Sequence, residues 1–141
     1  MSQEEFFKAK VRGFTMVELM VVVAIIALLA ILVMPSLLRA RLISNETYAR
    51  AILKIISNAC ESYAAGNYGQ YPTAMADLIG PMPPYLNEDY TIATLRGYDF
   101  NCDTLAVSGY SCTATPASCG QTGIKIFTIT TGAVLTYIDC S

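Results

Sequence analysis

Hydrophobic and polar positions divide this chain into three regimes. From Phe14 to Leu38 the side chains are almost continuously apolar, a run of 25 residues carrying a single charge, Glu18. A helix rises about 1.5 Å per residue, so roughly 20 residues span a bilayer core of about 30 Å, and the surplus leaves room for tilt. The run predicts a helix that resides in a membrane at some stage of the protein's life. Beyond Pro35 the pattern turns amphipathic. Leu38, Leu42, Ala49, Ile52, Ile56, Ala59 and Tyr63 recur at intervals of three, four or seven, one stripe of a helix continuing to about Ala65. Glu46 and Arg50 stand four apart with the acid first, the favourable order, and Arg50 and Glu61 are expected to face water. Pro35 has no backbone N–H and its ring crowds the carbonyl four residues back, so it is expected to kink or loosen the helix.

The third regime starts at Gly66-Asn67-Tyr68-Gly69, residues that tolerate the left-handed backbone at a helix end. Thr73 is placed to cap a short helix from about Ala74 to Ile79, without the acid of a capping box at Ala76. Gly80-Pro81-Met82-Pro83-Pro84 is a stiff connector. After it, Tyr98, Phe100 and Cys102 alternate with Asp99, Asn101 and Asp103, and Tyr110, Cys112 and Ala114 alternate with Ser111, Thr113 and Thr115. These read as two half-buried strands, followed by Ile124–Thr130 and, past Thr131-Gly132, Ala133–Asp139. Four consecutive hairpin strands are antiparallel. The chain is therefore α+β: one long helix whose second half packs on a roughly four-stranded antiparallel sheet, its first half left bare.

Composition narrows the chemistry. The 141 residues suit one modest domain plus the apolar segment, with a net charge of −2. That balance opposes general nucleic-acid affinity. There is no histidine, which excludes Ser-His-Asp and Cys-His catalysis and the HExxH zinc motif, so an enzyme is not expected. Five cysteines (Cys60, Cys102, Cys112, Cys119 and Cys140) lie on one side of the apolar run, and none forms a CxxC. Lys8, Lys10 and Arg12 precede the run, which places the N-terminus in the cytoplasm by the positive-inside rule, although Arg39 and Arg41 beyond it weaken that signal. The cysteines then meet an oxidising compartment. At least one disulfide is expected among Cys102, Cys112, Cys119 and Cys140, with partners left open, and the odd number leaves one thiol free or paired between chains. Any of Cys60, Cys102 and Cys112 also suits a buried free thiol.

Glu18 is the odd residue of the apolar run, because a carboxylate in hydrocarbon needs a partner or a route back to the headgroups. Its surroundings are specific. Gly13-Phe14-Thr15-Met16-Val17-Glu18-Leu19, preceded by basic residues and followed by unbroken hydrophobicity and Pro35, resembles the class III signal of type IV pilins and pseudopilins. The resemblance implies that a membrane-embedded aspartyl peptidase cuts between Gly13 and Phe14 and methylates the new amine of Phe14. It implies that Glu18 then pairs with a neighbouring subunit's amino terminus, and that Pro35 is the helix-bending proline. Residues 1–13 become the leader, 14–38 the membrane and filament-core helix, 39–66 its amphipathic continuation and 67–141 the head. Without the leader the net charge is −3, from six basic and nine acidic side chains. The implied partners are further copies of the chain, minor pilins, the prepilin peptidase, the inner-membrane assembly machinery and membrane lipid. The implied location is the inner membrane and then a periplasmic or surface filament. Tyr71-Pro72-Thr73 with its short helix leans toward the pseudopilins of type II secretion, and the cysteine-bearing sheet toward pilins.

Competing readings are less economical. A secretory signal has a shorter core and an A-x-A-like site, which Pro35–Arg39 does not offer. A single-pass anchored binding module accounts for the helix and sheet but leaves Gly13 and Glu18 without a reason. Glu88, Asp89, Asp99 and Asp103 match no calcium-loop spacing, so no metal or cofactor is expected. The tyrosines, Tyr48, Tyr63, Tyr68 and Tyr71 among them, suit core and interface packing better than electron hopping.

Overall fold

The structure, a computed structural model, describes residues 13–141. The basic residues Lys8, Lys10 and Arg12, and with them nearly all of the expected leader, lie outside the described residues. Helix α1 runs Met16–Gly66 without interruption, including Pro35. At that point the Ser36 hydroxyl donates to the Val33 carbonyl at 2.8 Å, a local bond beside the position where proline has no N–H to give. The chain divides into two compact units, with the boundary between Leu37 and Leu38.

In the first unit, large apolar side chains from Phe14 onward stand exposed along the helix. It is the one stretch among the described residues long and apolar enough to cross a membrane.

In the second unit the remaining half of α1 lies on a four-stranded antiparallel sheet of order β1-β2-β3-β4, as the alternation predicts. The strands are β1 (Tyr98–Ala106), β2 (Gly109–Pro116), β3 (Lys125–Thr130) and β4 (Val134–Asp139). Ala49, Ile52, Leu53, Ile56 and Cys60 of α1 bury against Tyr98, Phe100, Tyr110, Cys112, Phe127 and Ile129 of the sheet. The helical stripe begins later than its periodicity suggests, since Leu38 is 62% exposed and Leu42 only half-buried.

Two polar positions differ from expectation. Glu61 does not face free solvent. Its carboxylate accepts bonds from the Tyr110 hydroxyl at 2.9 Å, the Tyr71 hydroxyl at 3.0 Å and the Gly132 backbone N–H at 2.8 Å. Partial burial works against its charge, but these donors outweigh it and hold its pKa below the usual 4.5. Tyr110, buried and bonded also to Ser57 at 2.7 Å, is pushed up to about 12, chiefly by that burial. One helix carboxylate thus ties α1 to the loop after it, to β2 and to the β3–β4 turn. Glu46 likewise spends Oε1 on the Ile124 N–H at 3.1 Å, while Arg50 lies over the Phe127 ring at 5.4 Å.

The short helix α2 spans Ala76–Ile79, and Thr73 does not cap it as expected. The Asp77 carboxylate instead reaches back to the Thr73 N–H, the Thr73 hydroxyl and the Ala74 N–H. Three donors on one carboxylate lower its pKa and fix the same turn from the opposite side.

The cysteines form two bridges, Cys102–Cys112 and Cys119–Cys140, and Cys60 is a buried free thiol. A register shift between Asn101 and Thr104 interrupts the β1–β2 ladder at the first bridge, where the two Cα atoms are 4.0 Å apart. Burial and the adjacent Glu61 raise the Cys60 thiol to about 12, so it stays protonated.

Candidate functional site

The residues singled out at the N-terminus come together over one helical turn. Thr15 precedes the first residue of α1, and the helix opens with the Leu19 N–H donating to the Thr15 carbonyl at 3.2 Å. The Thr15 hydroxyl accepts from the Glu18 N–H at 3.2 Å. Glu18 Oε2 returns the contact, accepting from the Thr15 N–H at 3.1 Å and the Thr15 hydroxyl at 3.0 Å. This is a capping box, with Thr15 at the N-cap and Glu18 three residues in. It satisfies donors that the first helical turn leaves orphaned and sets an anion against the positive end of the helix.

Two consequences follow for Glu18. Its carboxylate is not unpartnered in the isolated chain. It also folds back toward the chain start, to the residue next to Phe14, rather than extending along the apolar flank. The sequence signal, Thr-x-x-Glu at 15–18, is present in the chain, but the expectation above treats Glu18 as a lone charge and overlooks it.

Gly13 and Phe14 lie just outside the helix, and Phe14 is 77% exposed. Among the described residues, a Cβ built at Gly13 meets no atom within 4 Å.

Beyond the box the helix presents a shallow apolar groove of about 420 Å³ between Met16, Leu19, Met20, Val23, Ala24 and Ala27. Spacings of three and four with two alanines let a second helix approach closely. An exposed apolar surface of this extent belongs in lipid or against another protein. Pro35 is in α1, remote in sequence from the box, and the cysteines are all in the second unit. Three of the four acidic residues weighed for calcium are engaged separately by their own neighbours. Asp89 accepts from Thr91, Asp99 from Thr94, and Asp103 from Asn101. No group of three or more potential ligands comes together among the described residues.

Known proteins share this N-terminal segment. Residues 8–34 match the family model described as the prokaryotic N-terminal methylation motif. The resemblance drawn from Gly13–Leu19 is thereby borne out. The chain is 41% identical over 68 residues to the type IV wide pilus major component PilA4 of Thermus thermophilus, covering 48% of this chain and 51% of that protein. It is 37% identical over 57 residues to the competence protein ComGC of Streptococcus pneumoniae, covering 40% and 53%. It is 39% identical over 64 residues to the type II secretion system core protein G of Escherichia coli, covering 45% and 43%. The chain spans about half the length of the curated relatives it matches.

Proposed function

We propose that this chain is the structural subunit of a type IV pilus filament. It enters the inner membrane with its N-terminus cytoplasmic, is cut after Gly13, and is methylated at the amine of Phe14. The apolar helices, bent at Pro35, then leave lipid for a bundle of like helices, and the heads form the outer surface. The role is mechanical rather than catalytic, and the partners are further copies, minor pilins, the peptidase and the assembly machinery.

The observation that carries this reading is the position of Glu18. Its carboxylate lies at the level of Thr15, one residue from the amine that cleavage would create. An incoming copy's positively charged amine can meet it there in low dielectric. Such a charge-assisted bond contributes about 1.5–3 kcal/mol net, and it penalises wrong axial staggers.

A second reading, a pseudopilus subunit of type II secretion, has support of its own. Tyr71-Pro72-Thr73 leads into α2, and the chain is similar to the secretion core protein G. Extended or shed surface fibres favour the pilus, and a periplasmic stub required for exoprotein release favours the pseudopilus.

Two variants test the shared mechanism. Gly13→Leu should leave a membrane-bound, full-length precursor, and a mature-sized product from it contradicts the cleavage site. Glu18→Ala should be inserted and cut but assemble poorly, and normal fibre numbers from it refute the pairing role.

A further inference from the structure

The two edges of the sheet, β1 and β4, are built differently. An open edge carries unpaired N–H and C=O groups, and proteins blunt it with bulges, charges or covering chain. β1 has all three: a register shift between Asn101 and Thr104, the carboxylates of Asp99 and Asp103, and a preceding loop held to it by the Thr94–Asp99 hydrogen bond and the Leu95–Tyr98 bridge. β4 is left open. It pairs with β3 through six consecutive residues without a shift, and it contains no proline and no lysine. Its one charge, Asp139, stands at its end, opposite Lys125 of β3. Val134, Tyr137 and Ile138 are 55%, 60% and 66% exposed.

The ladder fixes which backbone groups are free. The Cys140 N–H donates to the Ile124 carbonyl at 2.8 Å, which continues the β3–β4 register by one pair. Hydrogen-bonded pairs alternate in an antiparallel ladder. Val134, Thr136 and Ile138 therefore turn their backbone groups to β3, and Leu135, Tyr137 and Asp139 turn theirs to the open side. Among the described residues, no backbone group bonds to those three from that side.

We propose that β4 pairs antiparallel with β4 of a second copy of this chain, centred on Thr136, so that two sheets become one. Residues opposite each other in such a pair share a face. In this register Leu135 and Tyr137 exchange the open hydrogen bonds, Val134 lies opposite Ile138, and Thr136 lies opposite its twin. Each pair is apolar or neutral. The two Asp139 carboxylates fall on opposite sides of the centre, roughly 20 Å apart at about 3.4 Å per residue. Moving the centre to Tyr137 sets each Asp139 opposite Leu135, and moving it to Leu135 runs the pair into the turn at Ala133, whose φ is 60°. The contact is isologous, its copies related by a two-fold. Neighbours in one helical fibre are related by a rotation with a rise, so under the filament reading the pairing joins copies in different fibres. The pairing itself does not depend on that reading.

The test uses the full chain, in detergent and as fibres from producing cells. Thr136 is exposed, so its side chain can be changed without disturbing the core. Thr136→Lys sets two cations face to face at the centre, and Thr136→Glu sets two anions. Each alone should lower the dimer fraction in sedimentation, and fibre bundling in electron microscopy, at least tenfold. Mixing the two variants should restore both. The native cysteines are bridged or buried, so an introduced thiol is the one that reacts. Thr136→Cys should oxidise to a linked dimer, because facing residues of a non-hydrogen-bonded pair have Cα atoms about 4.5 Å apart. Val134→Cys, about 14 Å from its twin, should not. Dimers that survive both charged variants, or no gain on mixing them, overturn the pairing. A Thr136→Cys disulfide to a different protein assigns the edge to another partner and overturns it as well. Fibres whose subunits never pair sink the proposal and leave the filament reading standing, whereas paired chains that make no fibres keep the proposal and sink that reading.

Discussion

Glu18 and Thr15 hold each other: the carboxylate accepts from the Thr15 hydroxyl at 3.0 Å, and that hydroxyl accepts from the Glu18 N–H at 3.2 Å. Glu18 thus has two separable properties, a hydrogen-bonding shape that starts the helix and a charge. Under the proposed function, cleavage and methylation would leave both intact. Pairing in a filament would then add a positively charged donor to a carboxylate already turned toward Thr15.

Shape and charge come apart in one comparison. Glutamine serves at this position of a capping box as well as glutamate does, so Glu18→Gln should preserve the helix start that Glu18→Ala loses. If assembly depends on charge, both variants should lower fibre yield, by about 10- to 100-fold for a lost bond of about 1.5–3 kcal/mol. Fibre counts by electron microscopy check this. Wild-type yield from Glu18→Gln means that capping alone is required.

A second expectation concerns acid. The pKa of Glu61 is held below its usual 4.5 by the donors from Gly132, Tyr110 and Tyr71, despite its partial burial. A lowered folded-state value contributes stability that is present above pH 4.5 and is lost as pH falls through the folded value. Thermal melts of the detergent-solubilised protein from pH 6 down to about 2.5 should show a falling midpoint, and Glu61→Gln should flatten that slope. An unchanged slope in the variant removes Glu61 from the acid response.

The bridge Cys119–Cys140 closes a loop of sequence separation 21 and ties the chain end to the loop before β3. Replacing both cysteines by serine should destabilise the head by about 2–4 kcal/mol, chiefly by freeing the unfolded chain. Melting under non-reducing conditions measures the difference, and an unshifted midpoint argues against a stabilising role.

Gly123 is set by packing. A Cβ there would overlap the Tyr98 hydroxyl, which donates to the Lys125 carbonyl at 2.8 Å. Gly123→Ala should cost about 1–3 kcal/mol through displacement of that buried ring. Tyr98→Phe removes the hydroxyl part of the overlap and leaves the ring carbons at 2.6 and 2.7 Å, so in Gly123→Ala it should recover part of the loss, and simple additivity of the two melts would count against the contact.

How far the chain could be read without its structure follows from the range of each interaction. The apolar run, the stripe from Ala49 to Tyr63 and the four strands are periodic signals, and their elements formed within a residue or two of expectation, except that β1 runs on three residues past Asp103 to Ala106. The capping box is equally local, but the apparent isolation of Glu18 in an apolar run drew attention away from Thr15. Glu61 was illegible for a different reason. Its three partners are 10, 49 and 71 residues away, and a glutamate on a helix otherwise reads as solvated. The cysteine pairing also depends on tertiary detail, a register shift in β1 for one bridge and irregular loop for the other. Asp77 misled in direction, capping backward where Thr73 was expected to cap forward.

The account stands most directly on the first residue of the mature chain. Mass spectrometry and N-terminal sequencing of the protein extracted from the cell envelope settle it. The prediction is a chain beginning at N-methylated Phe14. A chain that still begins at Met1 or Ser2, with the leader in place, contradicts it and leaves an anchored domain that no peptidase has prepared for assembly.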